Sequence, residues 1–422
     1  MNKWSRIALG SFALLSVTAG LWLCDEPLDP QAQAWLDEVA APKAESLAYY
    51  QLQGLDAPAG SDPQVVGRER LLALASADRT PPPALASTSL PLPERDELCS
   101  LNEKDCLQRL QRGEIKTALL TQHAELLRRY RQLLQLQDYR SFGQVDWPDV
   151  TRPLSALQRG NLLLGLQAFT LAHTGQGGEA LELLQQDLRQ LRGWLAAADS
   201  LVLKMLLTQM LADDLQTISG LHQIGLLPQP EAQPLLSAQE RSMRLPVLRE
   251  FSLISIGLLK LTDEPAVSGK LGGKLAMRVL YRPQMSVNSQ MPVFRQLVTE
   301  SELNAATFRQ ALEQPMAARV ARRWRNPVGT VLGDVAVPDY RKYVARLHDL
   351  DARLRLFNLL RGLPADFQPS TRSLGALTEA DNPYQAGDPP YWDSAEHSIC
   401  YQGPLPDDRQ LRCLTWHLTD AG

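Results

Sequence analysis

Hydrophobic residues follow three patterns along this chain. Near the N-terminus, the stretch from Ile7 to Cys24 contains 18 residues without a charged side chain. Through most of the remaining chain, apolar residues recur every three or four positions, which indicates amphipathic helices. Near the C-terminus, short alternating runs interrupted by prolines predict strands. We therefore expect a mainly α-helical protein with an N-terminal transmembrane helix, helical-hairpin or solenoid-like blocks, and a small C-terminal β-hairpin tail.

The charge-free stretch at residues 7–24 has the length of a membrane anchor. A helix of this length spans about 27 Å, close to the roughly 30 Å hydrocarbon core of a bilayer. Lys3 and Arg6 precede the stretch and acidic residues follow it, a bias that places the N-terminus in the cytoplasm. The sequence thus predicts a single-pass protein of the inner membrane, with its bulk in the periplasm of a Gram-negative bacterium.

Two other fates of this stretch remain open. A signal peptidase could cleave after Ala19 or Gly20, and a lipoprotein would be modified at Cys24. Cleavage after Ala19 or Gly20 would leave the large apolar residues Leu21 to Leu23 at the new N-terminus, and the lipoprotein signal needs a small residue where Leu23 precedes Cys24. We therefore favour an uncleaved anchor.

Changes in composition divide the chain into six segments. A cluster of prolines separates the two largest, which are helical. The segments are a cytoplasmic tip (1–6), the anchor (7–24), N-terminal helices with a Pro-rich strap (25–98), a first helical block (99–227), a second, basic helical block (228–363), and a Pro-rich segment with the β-tail (364–422).

Caps and turns give the predicted helices their limits. Asp62 and Pro63 suit the start of a helix that ends near Ser76, since Asp caps helices and Pro favours their first position. Asp199 is the predicted cap of a helix that runs to about Ile224. The other predicted helices cover about 31–53 with a break at Pro42, and 103–138, 161–173, 179–195, 236–261, 292–314, 315–325 and 338–362.

Four of the five cysteines fall into two close pairs. Outside the cytoplasm we expect two disulfides, Cys99–Cys106 and Cys400–Cys413. The alternative for the second pair is a zinc site with two His and two Cys ligands: His397, Cys400, Cys413 and His417. Zinc needs thiolates, and an oxidising compartment favours the disulfide instead. We therefore predict disulfides, no metal and no cofactor.

The charge balance bears on the class of partner. A net charge of −4 and a pI near 5.9 give no support to a nucleic-acid partner. Residues 25–120 are acidic and residues 241–325 are basic. Two domains with different surfaces would account for this, and so would a basic face that binds an envelope protein, anionic lipid or glycan.

Within the basic region, Val267 to Lys274 does not match the motif of a phosphate-binding loop, because Leu275 follows the lysine where the motif needs Ser or Thr. We expect it to form a mobile basic loop.

Asp214 falls on the apolar side of its predicted helix. At 100° per residue it lies in an arc with Leu207 and Leu211, whereas Asp213 lies on the polar side. A carboxylate on the core side has to be paired, hydrogen-bonded or protonated. Two interpretations stay open: an ion pair with an arginine of another helix, or an acid with a raised pKa that lines a cavity, where His222 could join it. Asp214 and His222 are therefore the catalytic candidates.

Two stretches carry a resemblance to known proteins. The segment Tyr50…Gly54-Leu55-Asp56-Ala57-Pro58…Asp62-Pro63…Gly67 resembles uncharacterised single-span periplasmic proteins of proteobacteria. This resemblance implies a location and brings no activity. The segment Asn382-Pro383-Tyr384…Gly387…Pro390…Trp392-Asp393 looks like the C-terminal β-hairpin of pseudopilins and other secreted bacterial proteins. That likeness implies packing of the tail against a helical core.

Binding rather than catalysis is the function expected from these features. The sequence contains no G-x-S-x-G or H-E-x-x-H motif in a supporting context. Helical hairpins and the charge asymmetry favour a membrane-anchored periplasmic scaffold or adaptor that binds another envelope component. The alternative is a periplasmic hydrolase that acts on cell-wall or lipid material through Asp214 or the His397/His417 region. A deep polar cavity at Asp214 would favour the hydrolase, and a dry, ion-paired core would favour the scaffold.

Overall fold

The computed structural model is mainly α-helical, with a small antiparallel sheet near the C-terminus. It describes residues 24–76, 89–94, 96–103, 105–142, 151–263, 271–317, 324–336, 339–364, 367–377, 381–407 and 409–417. The helices are α1 (Pro30–Ala40), α2 (Leu47–Gln53), α3 (Pro63–Ser76), α4 (Cys106–Gln111), α5 (Ala118–Gln122), α6 (Ala124–Gln135), α7 (Thr151–His173), α8 (Gly177–Ala197), α9 (Leu201–Gln223), α10 (Ala238–Arg241), α11 (Arg244–Lys260), α12 (Leu271–Leu280), α13 (Pro283–Ser301), α14 (Ala305–Leu312), α15 (Pro327–Ala336), α16 (Arg341–Leu360) and α17 (Thr371–Gly375). The strands are β1 (Tyr391–Asp393), β2 (Ser398–Cys400) and β3 (Cys413–Thr415).

The predicted membrane anchor, residues 7–24, lies outside the described residues except for Cys24. Among the helices that are described, none is both long and apolar enough to cross a bilayer. The anchor therefore stays a prediction.

The helices form two compact units, each assembled from segments that are distant in the chain. Unit 1 contains the described parts of Met1–Ala41, Val247–Thr299 and Pro315–Tyr340. Unit 2 contains those of Pro42–Pro246, Glu300–Gln314 and Arg341–Gly422. The division at residues 98, 227 and 363, which composition suggested, stays a prediction.

Unit 2 is built around consecutive helices that pack on one another. Helices α6, α7, α8 and α9 each contact the next, and α9 also packs on α16 and β3. The turn between α7 and α8 passes through Gly175, whose φ of +86° is the left-handed conformation that glycine adopts most readily. This confirms the predicted hairpin in the central block. Because α9 has neighbours on several sides, nearly all of it is buried.

The α2–α3 hairpin explains the glycines and prolines of the segment Tyr50 to Gly67. A Cβ atom on Gly54 would lie 1.8 Å from the Pro63 oxygen, and one on Gly67 would lie 1.9 Å from the Tyr50 oxygen. The helix begins at Pro63, and the Asp62 carboxylate accepts a hydrogen bond from the Gln64 amide, so the predicted start is confirmed. The segment is thus a hairpin in which two backbones touch.

A buried arginine holds the turn of this hairpin. Arg129 of α6 is completely buried and donates to the carbonyl oxygens of Ala57 at 2.6 Å, Pro58 at 2.9 Å and Ser61 at 3.1 Å. Its Nε atom donates to Glu125 at 2.7 Å. The guanidinium therefore supplies the hydrogen bonds that a buried turn cannot obtain from water.

Unit 1 has an aromatic core. The Phe251 ring of α11 contacts Trp35 of α1 and Phe294 of α13, each edge-on with centroids 5.4 Å apart. The predicted mobile loop at residues 267–274 is wrong from Leu271 onward, because α12 begins there; its earlier part, including Lys270, lies outside the described residues. Apolar residues at helical spacing in 271–280 outweigh the two glycines.

Several predicted helix limits also need correction. The predicted helix at 103–138 is divided into α4, α5 and α6, with Gly113 at a φ of +70° after α4. The predicted helix at 236–261 divides into α10 and α11. The predicted start near residue 292 is wrong, because α13 begins at Pro283 and accommodates Pro292 in its interior. The predicted helix at 338–362 is present as α16.

The β-tail has three strands in the order β1-β2-β3, one more than the predicted hairpin. All pairs are antiparallel, and Cys400 lies directly opposite Cys413 in the register of β2 and β3. The disulfides Cys99–Cys106 and Cys400–Cys413 are both present, as predicted.

Candidate functional site

Four side chains from four different helices meet in the core of unit 2. Asp187 of α8 accepts hydrogen bonds from the Tyr130 hydroxyl of α6 at 2.7 Å and from Asn161 Nδ2 of α7 at 3.2 Å, both at its Oδ2 atom. The same Asn161 nitrogen donates to Asp214 Oδ1 of α9 at 2.9 Å. All four are buried. We refer to Tyr130, Asn161, Asp187 and Asp214 as the acid cluster.

Both carboxyls of the acid cluster have a raised pKa. Burial, then the charge and hydrogen bond of Asp187, raises the pKa of Asp214 well above its usual range. Burial also raises the pKa of Asp187 to about 6, against the hydrogen bonds from Tyr130, Asp214 and Asn161, which lower it. Asp214 is therefore the carboxyl that favours the protonated form more strongly. Its Oδ2 atom is buried and has no hydrogen-bond partner among the described residues.

This arrangement bears on the two interpretations of Asp214. Its partners in the described structure are an amide and a second carboxyl rather than the arginine of the ion-pair interpretation. The raised pKa agrees with the other interpretation. Sequence reasoning missed Asp187, although its spacing from Leu184, Leu188 and Leu191 on α8 places it on the buried side of that helix.

Asp213, the neighbour of Asp214, is buried too, which corrects its placement on a polar helix face. It accepts hydrogen bonds from Ser100 Oγ at 2.8 Å, from Gln209 Nε2 at 3.0 Å and from the Asn102 amide. Ser100 and Asn102 lie in the loop that the Cys99–Cys106 disulfide closes. Burial raises the pKa of Asp213, while these donors lower it.

A small cavity lies beside these acids. Its lining includes Leu98, Ser100, Asn161, Asp213 and Asp214, and its volume is about 20 Å³. A cavity of this size has room for roughly one water molecule. The space at Asp214 is therefore too small for a substrate.

His222 does not join the acid cluster. Its Nδ1 atom lies 3.2 Å from the Leu227 oxygen and its Nε2 atom lies 3.3 Å from the Arg361 oxygen. The ring thus bridges the ends of α9 and α16.

The four residues of the zinc alternative are not arranged as metal ligands. Cys400 and Cys413 are joined to each other, so their thiolates are consumed by the disulfide. Burial, followed by the charge of His397, lowers the pKa of His417 to about 4, and the ring packs beside Gly220 of α9. In the part of the chain that the structure describes, no group of three or more His, Cys, Asp or Glu residues is placed to hold a metal ion.

A second buried acid lies where the β-tail meets α16, and the sequence analysis did not identify it. Asp349 accepts hydrogen bonds from the Tyr384 hydroxyl at 2.6 Å and from Arg412 Nη1 at 3.0 Å. Burial raises the pKa of Asp349 to about 7, although Arg412 lowers it. The hydrophobic pattern around Asp349, with Leu347 and Leu350 nearby, does not define a single buried face that would include it, because α16 is buried on more than one side.

Comparisons with protein families, with curated proteins and with solved structures found no match to this chain.

Proposed function

We propose that this protein is a single-pass, membrane-anchored periplasmic scaffold whose unit 2 binds another envelope protein. The observation that carries the proposal is the outward face of α3. Gly67, Arg70 and Leu71 on one side of this helix are buried, whereas Val65 and Leu72 on the opposite side are exposed. At 100° per residue these two apolar side chains lie within about 20° of each other, on one face that also carries the exposed Arg68 and Glu69. An exposed face that combines apolar and charged side chains suits a protein-binding surface.

Rigid support of α3 strengthens this proposal. The turn before α3 is held by Arg129, and Arg70 forms a buried ion pair with Asp56 at 2.5 Å. A preorganised surface loses less conformational entropy on binding than a flexible one. The two disulfides fit an oxidising compartment outside the cytoplasm, as a periplasmic location requires.

Site-specific photocrosslinking in cells tests the scaffold. A photoreactive residue at Val65 or at Leu72 should give the same protein adduct, whereas one at Glu182, an exposed position on α8, should not. The purified partner should bind the wild type, and Leu72→Glu should abolish that binding without a change in the far-UV circular dichroism. Adducts that are equally frequent at Glu182, or a Leu72→Glu variant that binds normally, would contradict the proposal.

The alternative function is a periplasmic hydrolase of cell-wall or lipid material, which the raised pKa of Asp214 favours. The acid cluster ties four helices together beside a cavity with room for roughly one water, so a substrate could reach Asp214 only after the cavity opened. Hydrolysis of peptidoglycan or phospholipid that Asp214→Asn abolishes in a folded protein would replace the scaffold proposal with this one.

A further inference from the structure

Helix α15 of unit 1 presents an apolar face to solvent. Its Gly329 and Gly333 approach α13 closely, since a Cβ atom there would lie 2.0 Å from Ser286 Oγ and 2.2 Å from Gln290 Nε2. The opposite face carries two valines, Val331 and Val335. They are 63% and 82% exposed. The glycines thus fix which side of α15 is packed, and the outward side is hydrophobic.

The chain that follows the predicted anchor is attached at the start of α15. The Cys24 carbonyl oxygen accepts a hydrogen bond from Arg325 Nη2 at 2.9 Å, two residues before α15 begins. The Asp25 carboxylate accepts from the backbone amides of Gln284 at 2.8 Å and Met285 at 3.1 Å, and so caps α13. Asn326 accepts from the Arg282 amide at 2.9 Å, which joins the starts of α13 and α15. If residues 7–24 span a bilayer, this part of unit 1 lies at its surface.

Further side chains near this attachment point suit a membrane interface. Trp324 is 62% exposed, and the Arg325 guanidinium lies 5.9 Å from its ring centroid. Val279 and Leu280, at the end of α12 just before α13, are exposed as well. Tryptophan and arginine both prefer the headgroup region, where an apolar body and a polar end can each be accommodated.

Basic residues predominate in the surrounding sequence. Residues 265–281 contain Lys270, Lys274 and Arg278 and no acidic residue. Residues 315–333 contain Arg319, Arg322, Arg323 and Arg325 and no acidic residue, and the exposed Asp334 of α15 follows them. Clustered basic residues beside a membrane are attracted to anionic lipid headgroups.

We propose that the outward face of α15, together with Trp324 and the end of α12, lies in the headgroup region of the bilayer and binds anionic phospholipid. This inference rests on the membrane-anchored part of the proposed function and adds a second contact with the same membrane. An amphipathic helix in this position buries its apolar face at the boundary between headgroups and acyl chains. The contact would hold unit 1 against the membrane and leave unit 2 as the part that meets a partner.

The test measures immersion of α15 in the lipid of the intact chain. Full-length protein with Cys24→Ser is labelled with a nitroxide at Val335→Cys or, as the matched control, at Val65→Cys on α3. Both are exposed valines on helices, so labelling should not disturb folding. In nanodiscs of phosphatidylcholine and phosphatidylglycerol, the label at position 335 should be several-fold less accessible to an aqueous relaxant than the label at position 65. Nanodiscs of phosphatidylcholine alone should reduce this protection.

Three outcomes would overturn the inference. Equal aqueous accessibility at positions 335 and 65 would show that α15 faces water. Dipolar coupling between two labels at position 335 would show that a second copy covers this face. Protection that is equally strong in nanodiscs of phosphatidylcholine alone would show that the face does not bind anionic phospholipid. Retention in the membrane after a carbonate wash tests the anchor separately, and partner capture through α3 tests the scaffold, so the three failures can be distinguished.

Discussion

Replacing Asp214 with asparagine should make unit 2 more stable at neutral pH. The unfolded-state pKa of an aspartate is near 3.9, so a folded protein that keeps this carboxyl protonated at higher pH loses stability. The loss is about 1.4 kcal/mol for each pH unit above 3.9, until the pH reaches the native pKa. Because the pKa of Asp214 is raised well above its usual range, this loss accumulates over the pH units between the unfolded and the native value. Asparagine has nearly the same shape as aspartic acid, and its amide nitrogen is a hydrogen-bond donor at every pH.

The sign of the effect follows from proton linkage. A carboxyl whose pKa is raised on folding binds more protons in the native state, so the stability of the wild type falls as pH rises above about 4. The variant lacks this titration. Its free energy of unfolding should therefore match that of the wild type within about 1 kcal/mol at pH 4, the scale of one altered hydrogen bond, and exceed it increasingly towards pH 7.

Hydrogen–deuterium exchange in urea, read from peptides that cover residues 161–223, would measure this difference within unit 2. The matched control is Asp187→Asn, which makes the same chemical change at the other carboxyl. Its amide oxygen can still accept the bonds that Tyr130 and Asn161 donate, and burial still raises the pKa of Asp214, so this variant should retain more of the pH dependence than Asp214→Asn does. A loss of stability in Asp214→Asn that is the same at pH 4 and pH 7 would refute the raised pKa of Asp214.

Two further substitutions test the α2–α3 hairpin by urea denaturation of the full chain. Arg129→Met should cost about 3–5 kcal/mol, because it leaves buried turn carbonyls without donors, whereas Arg128→Met, at the exposed neighbour, should change stability by less than about 0.5 kcal/mol. Similar losses of stability in both variants would show that the hydrogen bonds from Arg129 to the turn do not stabilise the hairpin. Gly67→Ala should be strongly destabilising because its Cβ would overlap the Tyr50 oxygen, whereas Gly178→Ala, with nothing within 4 Å, should stabilise by about 0.5–1 kcal/mol. Tolerance of Gly67→Ala would contradict the close backbone contact.

Local chemistry allowed a good part of the fold to be predicted. The start of α3 depends on Asp62 and Pro63, which act on the helix that follows them. The disulfides depend on cysteines that are close in sequence and on the compartment. The prediction failed at Asp199, which does not cap α9; its carboxylate accepts from the Ser141 amide and hydroxyl instead. A residue 58 positions away competed for the same carboxylate, and no local rule contains that contact.

The acid cluster shows a different limit of sequence reasoning. The periodicity of α9 identified Asp214 as buried, because the apolar positions of a single helix indicate which of its residues face the core. Which residue contacts Asp214 depends on how two helices are aligned along their axes. Asn161 and Asp187 face Asp214 only because α7, α8 and α9 pack at one particular register. A single sequence contains the two carboxyls and gives no measure of their separation.

Asp213 and Asp214 together provide a reason why α9 should settle in one orientation. A helical wheel assigns one polar side to a helix, but α9 contacts α7, α8, α16 and β3 and has little exposed surface. Adjacent residues differ by about 100° in direction, so the two carboxyls enter different environments. The surroundings of Asp213 supply three donors and lie near the Arg353 charge, whereas Asp214 faces another carboxyl.

Rotation of α9 by one residue would therefore move one of these carboxyls into the position of the other and bring Ala212 or Leu215 into the vacated one. Both carboxyls would then be in the wrong electrostatic environment, and apolar packing alone would not impose that penalty, because leucines occur around much of α9. Buried polar groups can select one packing arrangement in this way even when they add little net stability. We therefore expect the two acids to favour the observed orientation of α9 over rotated ones.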